Sequence, residues 1–442
     1  MRSTFKIGGI HPPGNKIADR SIELLPLPMT ATLPLSQHIG VPAKPIVEKG
    51  EHVDRGQCVA ENSAYISAGL HAPISGTVAA IEPTVLPSGK LCNAIIIKAT
   101  QEEHDADTAV RELYWEKVNS RIPEFSLCDR YDKSEIIKLV SASGVVGLGG
   151  AAFPSHVKLA SEKVTTIPEL LILNGCECEP YLMCDDALMC AYARNIAVGI
   201  ELMMKASGIK NAVIAIEDNK SEAIKAISAA IVSREGVALR VLKTKYPQGG
   251  EKQLVEAVTG RRIASGALPI SVGVIVQNVA TAFAVWQAVA TGQPLIERVV
   301  TVSGDIPAEQ RRNYMVAIGT PLAELPCERP PKCRSLLGGP MMGSPVVRYD
   351  ASLMKGSSGL TILSGEGRKA PMQCVRCAIC VEACPMGLEP YLLSTYGRLR
   401  MCDEAREHAV ADCIECGICS YSCPSNRPLL DFIRVAKQRS RK

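Results

Sequence analysis

The chain has 442 residues, 47% hydrophobic and 21% charged, with a net charge of +4. This length and apolar content allow several ordinary domains and exclude wholesale disorder. So small a charge, with only 4% aromatic residues, excludes a typical nucleic-acid binder, which needs a basic surface and stacking rings. Cysteine is the outlier, at 18 residues. The opening MRSTFKIGGIHPP has no apolar run like that of a signal peptide. The cysteines also cluster, so metal ligation in a reducing, cytoplasmic compartment is expected rather than disulfide staples.

In chain order, residues 1 to about 100 hold short strand-like pieces punctuated by Pro and Gly. Within them VEKGEHVDRGQCVAE and LHAPISGTVAAIE resemble the two halves of a lipoyl- or biotinyl-type hammerhead. Where such a domain carries its modified lysine, this chain has Asn62, Ser63 and Ala64, so docking rather than chemistry is expected there. Residues 130 to about 295 alternate between helical and strand patterns. SEIIKLVSASG is an amphipathic helix, ELLILN and NAVIAIED are buried strands, and KSEAIKAISAAIVSRE is a helix, which is α/β organisation.

Inside that region GVVGLGGAAFPSHVK (144–158) has the outline of a dinucleotide fingerprint, with Gly147, Gly149 and Ala152 in a G-x-G-x-x-A pattern. A Rossmann fingerprint follows a strand, whereas a helix precedes this one. The loop can still serve a phosphate and a planar ring. Its glycines let backbone N–H groups approach a ligand, and a helix beginning at Pro154 is expected to offer its positive end. Further on, Ile263 to Ile296 carries no charge. PISVGVIVQ reads as a buried strand and NVATAFAVWQAVATG as a helix capped by Asn278, a core unit rather than a membrane span.

Residues 297–350 return to short strands, and MKGSSGLTILSGEG (354–367) reads as a Gly/Ser-rich connection. Then comes the most specific signal. CVRCAICVEACP (374–385) and CIECGICSYSCP (413–424) share the spacing C-x2-C-x2-C-x3-C-P. Four thiolates must converge on each four-iron, four-sulfur cube, and in two-cluster ferredoxins the last Cys of each run serves the other cluster. The pattern therefore assigns Cys374, Cys377, Cys380 and Cys423 to one cluster, and Cys413, Cys416, Cys419 and Cys384 to the other. A pair of zinc sites would need only single C-x2-C knuckles met by distant partners. PYLLSTYGRLRMCDEAREHAV between the runs reads as helix, favouring a helical ferredoxin-like domain. Cys176, Cys178, Cys184 and Cys190 follow no common ligand spacing and are expected in the core. The basic end RVAKQRSRK reads as a solvated tail.

G-L-G-G-A-A-F-P-S-H-V-K resembles the flavin loop of the NADH-oxidising subunit of respiratory complex I, and more closely that of the Rnf ferredoxin–NAD oxidoreductase family. NGCECEPYL (174–182), YPQGGEKQL (246–254) and VQNVAT (276–281) follow in that family's order. FKIGGIHPPGNK resembles the opening of the RnfC subunits, and GTPLAEL with GGPMMG resembles their β-grasp module. The resemblance covers essentially the whole chain. It implies a multidomain α/β and α+β protein: a barrel-sandwich hybrid domain at 1–129 and a Rossmann-like flavin/NADH domain at 130–296. An SLBB-type β-grasp module at 297–353 and a linker with a helical ferredoxin-like domain holding two 4Fe-4S clusters at 354–442 would follow.

The resemblance implies FMN and NAD(H) as further cofactors. Gly147, Gly149, Gly150 and Ala151 would line the flavin, and Phe153 and Lys158 would contact the nicotinamide nucleotide. Asn174 and Glu177 correspond to flavin-contacting positions, Glu179 and Glu251 to positions near NADH, and Asn278 to a phosphate or ribitol contact. Implied partners are the other subunits of a membrane-bound complex, including integral membrane subunits and an iron–sulfur partner, with ferredoxin at the level of the complex. The chain would lie peripherally on the cytoplasmic face of the bacterial inner membrane, with no transmembrane helix of its own. Two departures stand out: Ala152 where the family commonly has Gly, and Gly250 where complex I has Glu. Two other readings remain. A soluble cobalamin reductase-like flavoprotein is expected to begin nearer the glycine loop, and a non-catalytic electron-transfer or docking subunit would lack flavin.

Overall fold

A computed structural model describes residues 3–160, 166–365, 367 and 369–440; Arg441 and Lys442 of the basic end lie outside them. Two small antiparallel sheets form the first unit. One is ordered Thr30–Pro34, Leu91–Lys98, Gly76–Val85, His52–Val53, and the other Lys44–Pro45, Cys58–Glu61, Leu70–His71. Leu33, Val53, Val59, Leu70, Val78, Ile95 and Ile97 are all buried and fill the space between the sheets, as alternating strand residues must when one face is covered. Helix Gln101–Ser120 follows, closed at its start by a reciprocal Thr100–Glu103 capping box.

The second unit is a parallel sheet ordered Val237–Leu242, Asn211–Glu217, Leu170–Gly175, Val274–Asn278. Successive residues face opposite sides. Leu171, Leu173, Ile214, Ile216 and Ile275 pack with helices Ala193–Ser207, Ser221–Ile231 and Val279–Ala290, whereas Ile172, Ala215, Val274 and Val276 pack with helix Glu251–Thr259. The charge-free stretch is the strand and helix expected of it, entered by a 3-10 turn at Pro269–Val272, with every residue from Val274 to Val289 buried. Among the described residues no single helix is long and apolar enough to cross a membrane; Cys184–Ala191 and Ala193–Ser207 reach that length only across a bend of 96°.

A six-stranded sheet comes third, ordered Ile22–Leu24, Arg312–Ala317, Glu297–Gly304, Gly359–Leu363, Arg334–Leu337, Ser344–Pro345. It differs from expectation in two of its strands. Ile22–Leu24 pairs in parallel with Asn313–Met315 rather than joining the barrel. Gly359–Leu363, within the stretch expected to be a connection, is a strand buried along four of its five residues. Its GLTIL core outweighs the turn-forming Gly and Ser around it. In the last unit the segment read as one helix is two, Pro390–Leu399 and Cys402–Glu407, broken at Arg400 with φ +63°. Leu393, Leu429, Leu430 and Ile433 join these helices and Leu429–Arg439 into one small core.

The units are fastened by buried polar groups. Glu297 on the third sheet, 7% exposed, accepts from Arg111 at 2.9 Å and Trp115 at 3.0 Å on helix Gln101–Ser120, and from Arg55 of the barrel. The two guanidinium groups hold its carboxyl below the usual 4.5 although burial opposes them. Glu297→Ala would leave two buried arginines without their counter-ion, and should destabilise the protein by about 3–5 kcal/mol in chemical denaturation. Because the folded pKa is depressed, the stability Glu297 adds is present above its unfolded value of 4.5. It should be lost as the pH falls through the lower folded value, a slope that Glu297→Gln removes.

Candidate functional site

Strand Leu170–Gly175 leads to Asn211–Glu217 on one side, and the chain returns to Val274–Asn278 on the other. The strand order therefore reverses between two neighbours, near whose carboxyl ends Asn174 and Asn278 stand in register. Crevices at such reversals, beyond the carboxyl ends of the strands, are where open α/β sheets bind ligands. The glycine loop lies over this one. It is closed by Gly147 N–H donating to Phe153 O at 2.8 Å and Ser155 N–H to Val145 O at 3.1 Å. Leu148 N–H donates to the Thr281 hydroxyl at 2.9 Å, docking the loop on the first turn of helix Val279–Ala290. A Cβ added to Gly149 would come within 3.3 Å of the Asn278 Cβ, whereas one added to Gly150 would meet only open space. Ala152 sits at φ +51°, a left-handed backbone that explains why glycine suits that position.

The helix expected to aim its positive end from Pro154 is only Ser155–Leu159, too short for an appreciable dipole. The helix beside the loop is instead Val279–Ala290, capped by Asn278, whose Oδ1 accepts from Ala280 N–H at 2.7 Å. The Asn278 amide donates from Nδ2 to the buried Asp185 at 2.7 Å. Asn174 donates to Gly249 O at 2.8 Å and accepts from Cys176 N–H at 3.1 Å. Lys158 pairs with Glu251 at 2.7 Å and donates to Val276 O at 3.2 Å. Glu177 and Glu179 are turned to protein groups. Glu177 accepts from the Asp185 and Asp186 N–H groups at 2.8 and 3.2 Å, capping helix Cys184–Ala191. Glu179 accepts from Met341 and Met342 N–H at 3.1 and 2.6 Å, and burial pushes its carboxyl up to about 7.

Seven of the eight cysteines of the paired runs fall into two groups. Cys384, Cys413, Cys416 and Cys419 line one cavity, walled by Pro385, Leu388, Ile418, Leu430 and Ile433. Cys380 lies within electrostatic reach of Cys377 and Cys423, and Cys374 lies beside Arg376 and Arg427. Cys374 and Cys377 are exposed, whereas Cys380, Cys384, Cys416 and Cys419 are buried. The enclosed group abuts the parallel-sheet unit: Tyr246 donates its hydroxyl to Cys416 O at 2.8 Å, and Gln253 donates to Pro385 O at 3.3 Å. Cys176, Cys178 and Cys184 stay with the parallel sheet and its loop, bonded to Ala215 O, Gly249 N–H and Glu177.

Comparison with known proteins agrees with this layout. Residues 3–102 match the RnfC barrel sandwich hybrid domain, and residues 140–287 match the Nuo51 FMN-binding domain. The RnfC-type component of the proton-translocating ferredoxin:NAD(+) oxidoreductase complex of Clostridium ljungdahlii is 39% identical over all of this chain and 95% of its own. Its Na(+)-translocating counterpart in Acetobacterium woodii is 40% identical over 98% of this chain and 96% of its own. The chain belongs to the RnfC family of ion-translocating ferredoxin:NAD(+) oxidoreductase complexes. The corresponding component of the ion-translocating oxidoreductase complex of Rhodobacter capsulatus, 41% identical over 88% of this chain and 74% of its own, is a further relative. An air-oxidised NAD+-reducing [NiFe]-hydrogenase shares the fold over 80% of this chain and 76% of its own, at 17% identity and a TM-score of 0.52.

Sequence reasoning missed several residues in this RnfC fold. Asp185, which meets Asn278, belongs to no motif. Tyr246 and Lys16 lie within motifs that gave them no role, yet the Lys16 ammonium donates to Glu177 O and Glu179 O at 2.7 Å each. Asp185 is pushed up to about 7, chiefly by burial and then by Glu177, from its usual 3.8. A carboxyl raised on folding costs stability as the pH climbs between those values. Asp185→Asn should therefore gain relative to wild type from about pH 4 to 7 in denaturation midpoints. Asn278→Ala should cost about 1–2 kcal/mol, through the lost cap and the acid left without its donor.

Proposed function

We propose that this chain is the NAD(H)-linked flavin and iron–sulfur subunit of a membrane-bound, ion-translocating ferredoxin:NAD oxidoreductase, acting at the cytoplasmic face beside integral membrane subunits and an iron–sulfur partner. The observation that carries the reading is the glycine loop over the strand-order reversal, with the enclosed four-cysteine cavity on the same unit's flank. The crevice suits FMN: its floor lacks a side chain at Gly149, its Asn278 amide is fixed by Asp185, and its outer edge at Gly150 is open. The cavity of Cys384, Cys413, Cys416 and Cys419, with its largely apolar wall, suits a 4Fe-4S cluster, and Cys374, Cys377, Cys380 and Cys423 suit a second. The sheet of residues 297–363 serves as the SLBB-type β-grasp module, its Met341–Met342 turn holding Glu179.

A bound flavin supplies the exchange between a two-electron hydride and single electrons. The protein's part is orientation. Gly147, Gly149, Gly150 and Ala151 shape the ring's bed, and Asn174 and Asn278 hold the carboxyl ends of the strands to one geometry. Phe153, Lys158 and Glu251 stand at the nicotinamide side, where the ion pair fixes both long side chains in advance. Glu177 and Glu179 act from behind, as braces of the loop that carries them. Cys384 and the second run would hold a cluster joined to the crevice's unit through Tyr246, whereas Cys374 and Cys377, which would hold the other, are exposed.

Titrating the anaerobically reconstituted chain with NADH tests this directly. Flavin absorbance and the broad iron–sulfur shoulder should both bleach; clusters without an NADH-bleachable flavin would make the chain a passive wire. Iron content tests the crossed ligand sets. Cys384→Ser should lower iron from about eight to about four atoms per chain. Adding Cys416→Ser should lower it no further, whereas adding Cys374→Ser should remove the rest. If iron instead survives in the Cys374, Cys384 double variant, each run holds its own cluster.

A further inference from the structure

Lys355 is 1% exposed and one of the largest fully buried side chains in the protein. Its ammonium donates to Gly69 O of the barrel at 2.6 Å and to Gly144 O, where the glycine loop begins, at 2.7 Å. The ionisable groups within electrostatic reach are the Cys58 thiol and the His38 and His71 imidazoles, and among the described residues no carboxylate pairs with the ammonium. Enclosing an ammonium costs several kcal/mol, which two charge-assisted bonds offset only in part. An apolar side chain of similar length would join three units of the fold without that cost. The position of the cation is therefore informative.

The same short segment meets the loop twice directly and a third time through Arg298. Besides the bond to Gly144, the Lys355 carbonyl accepts from the buried Arg298 guanidinium, which also donates to Leu148 O at 3.4 Å. Gly356 packs so closely that an added Cβ would lie 3.1 Å from Gly150 O. At Gly144, with φ +62°, an added Cβ would meet Gly69 O at 2.4 Å and the Lys355 ammonium at 2.8 Å, so only glycine fits against this cation. The loop is thus gripped at residues 144, 148 and 150 from the side of the third sheet.

We propose that Lys355 and Arg298 are positioning residues for the flavin loop, fixing its backbone through its carbonyls and holding positive charge against it, so that a phosphorylated flavin binds more tightly and is more easily reduced. This rests on the flavin reading above. Burial pushes the Lys355 ammonium down to about 7, so the test is made near pH 6, where it is charged. In the full chain loaded with FMN and clusters, the FMN dissociation constant and the flavin midpoint potential are measured, with iron content and the thermal transition as folding controls. Lys355→Met should weaken FMN binding about tenfold, the scale of one lost charge-assisted bond, and move the midpoint to more negative values. Arg298→Lys, which keeps the charge but shortens the reach to Leu148, should weaken binding with a smaller change in midpoint. Both constants within about twofold of wild type, with the midpoint unmoved, would reduce these residues to staples and overturn the proposal. Should Lys355→Met not fold, an unchanged dissociation constant in Arg298→Lys overturns it equally. A wild-type chain that retains no FMN would overturn the flavin reading and this proposal together, whereas unaltered variants of a flavin-binding chain overturn this proposal alone.

Discussion

The Asn278 side chain is held at both ends. Its carbonyl oxygen closes the first turn of helix Val279–Ala290, and its amide is bound by an aspartate that burial drives toward its neutral form. Asp185 itself begins a helix whose cap is Glu177, and Glu177 sits on a loop whose carbonyls converge on the Lys16 ammonium. One continuous polar chain therefore runs beneath the crevice from the last strand to the N-terminal segment. Asn278 and Asp185 are buried, Glu177 and Lys16 are half-buried, and each is bonded, the condition under which such networks are rigid rather than costly. The glycine loop can come close to the sheet because what lies under it does not move.

Much of this architecture was open to reading from local pattern. The strands at 170–175 and 211–217 and the helices at 133–142 and 221–231 announce themselves by period, and the charge-free stretch by its change from a Val/Ile run to an Asn-capped helix. The crossed cysteine sets proposed above rest on spacing alone, because a cube would demand four converging thiolates. The residues that escaped have no local signature. Lys355 acquires its meaning from carbonyls 286 and 211 positions away, and Asp185 from an amide 93 positions on. In a connection rich in Gly and Ser, a lysine looks like any solvated surface residue. The strand at 359–363 was hidden for the same reason, since its partner, Thr301–Gly304, lies more than fifty residues earlier in the chain.

Glu177 and Glu179 show a different limit. Their order in the motif suggests site residues, yet the partners of their oxygens are the protein's own backbone, a thiol and the Tyr246 hydroxyl. A motif preserves position; which way a carboxylate turns depends on what comes to meet it. Here the N-terminus of helix Cys184–Ala191 claims one acid and the Met341–Met342 turn the other, each offering N–H groups that would otherwise be left unpaired.

Residues 3–25 explain how the cysteine-rich last unit keeps its place. They belong to no single core. Ser3 bridges to Leu242 on the edge of the parallel sheet, Gly9 N–H donates to Ala383 O beside Cys384, and Ile10 bridges to Tyr246. Lys16 then gathers the loop at 177–182, Arg20 pairs with Asp186 at 2.9 Å, and Ile22–Leu24 joins the third sheet. A strap of this kind spends its backbone hydrogen bonds on other units, so its order exists only when those units are assembled. Tyr246 is where its effects converge: one face of that residue's backbone holds the strap, and its hydroxyl holds the carbonyl of Cys416. In the proposed function, electron transfer between the crevice and the enclosed four-cysteine cavity would depend on the distance between them, and the strap and Tyr246 together join the two units that set it.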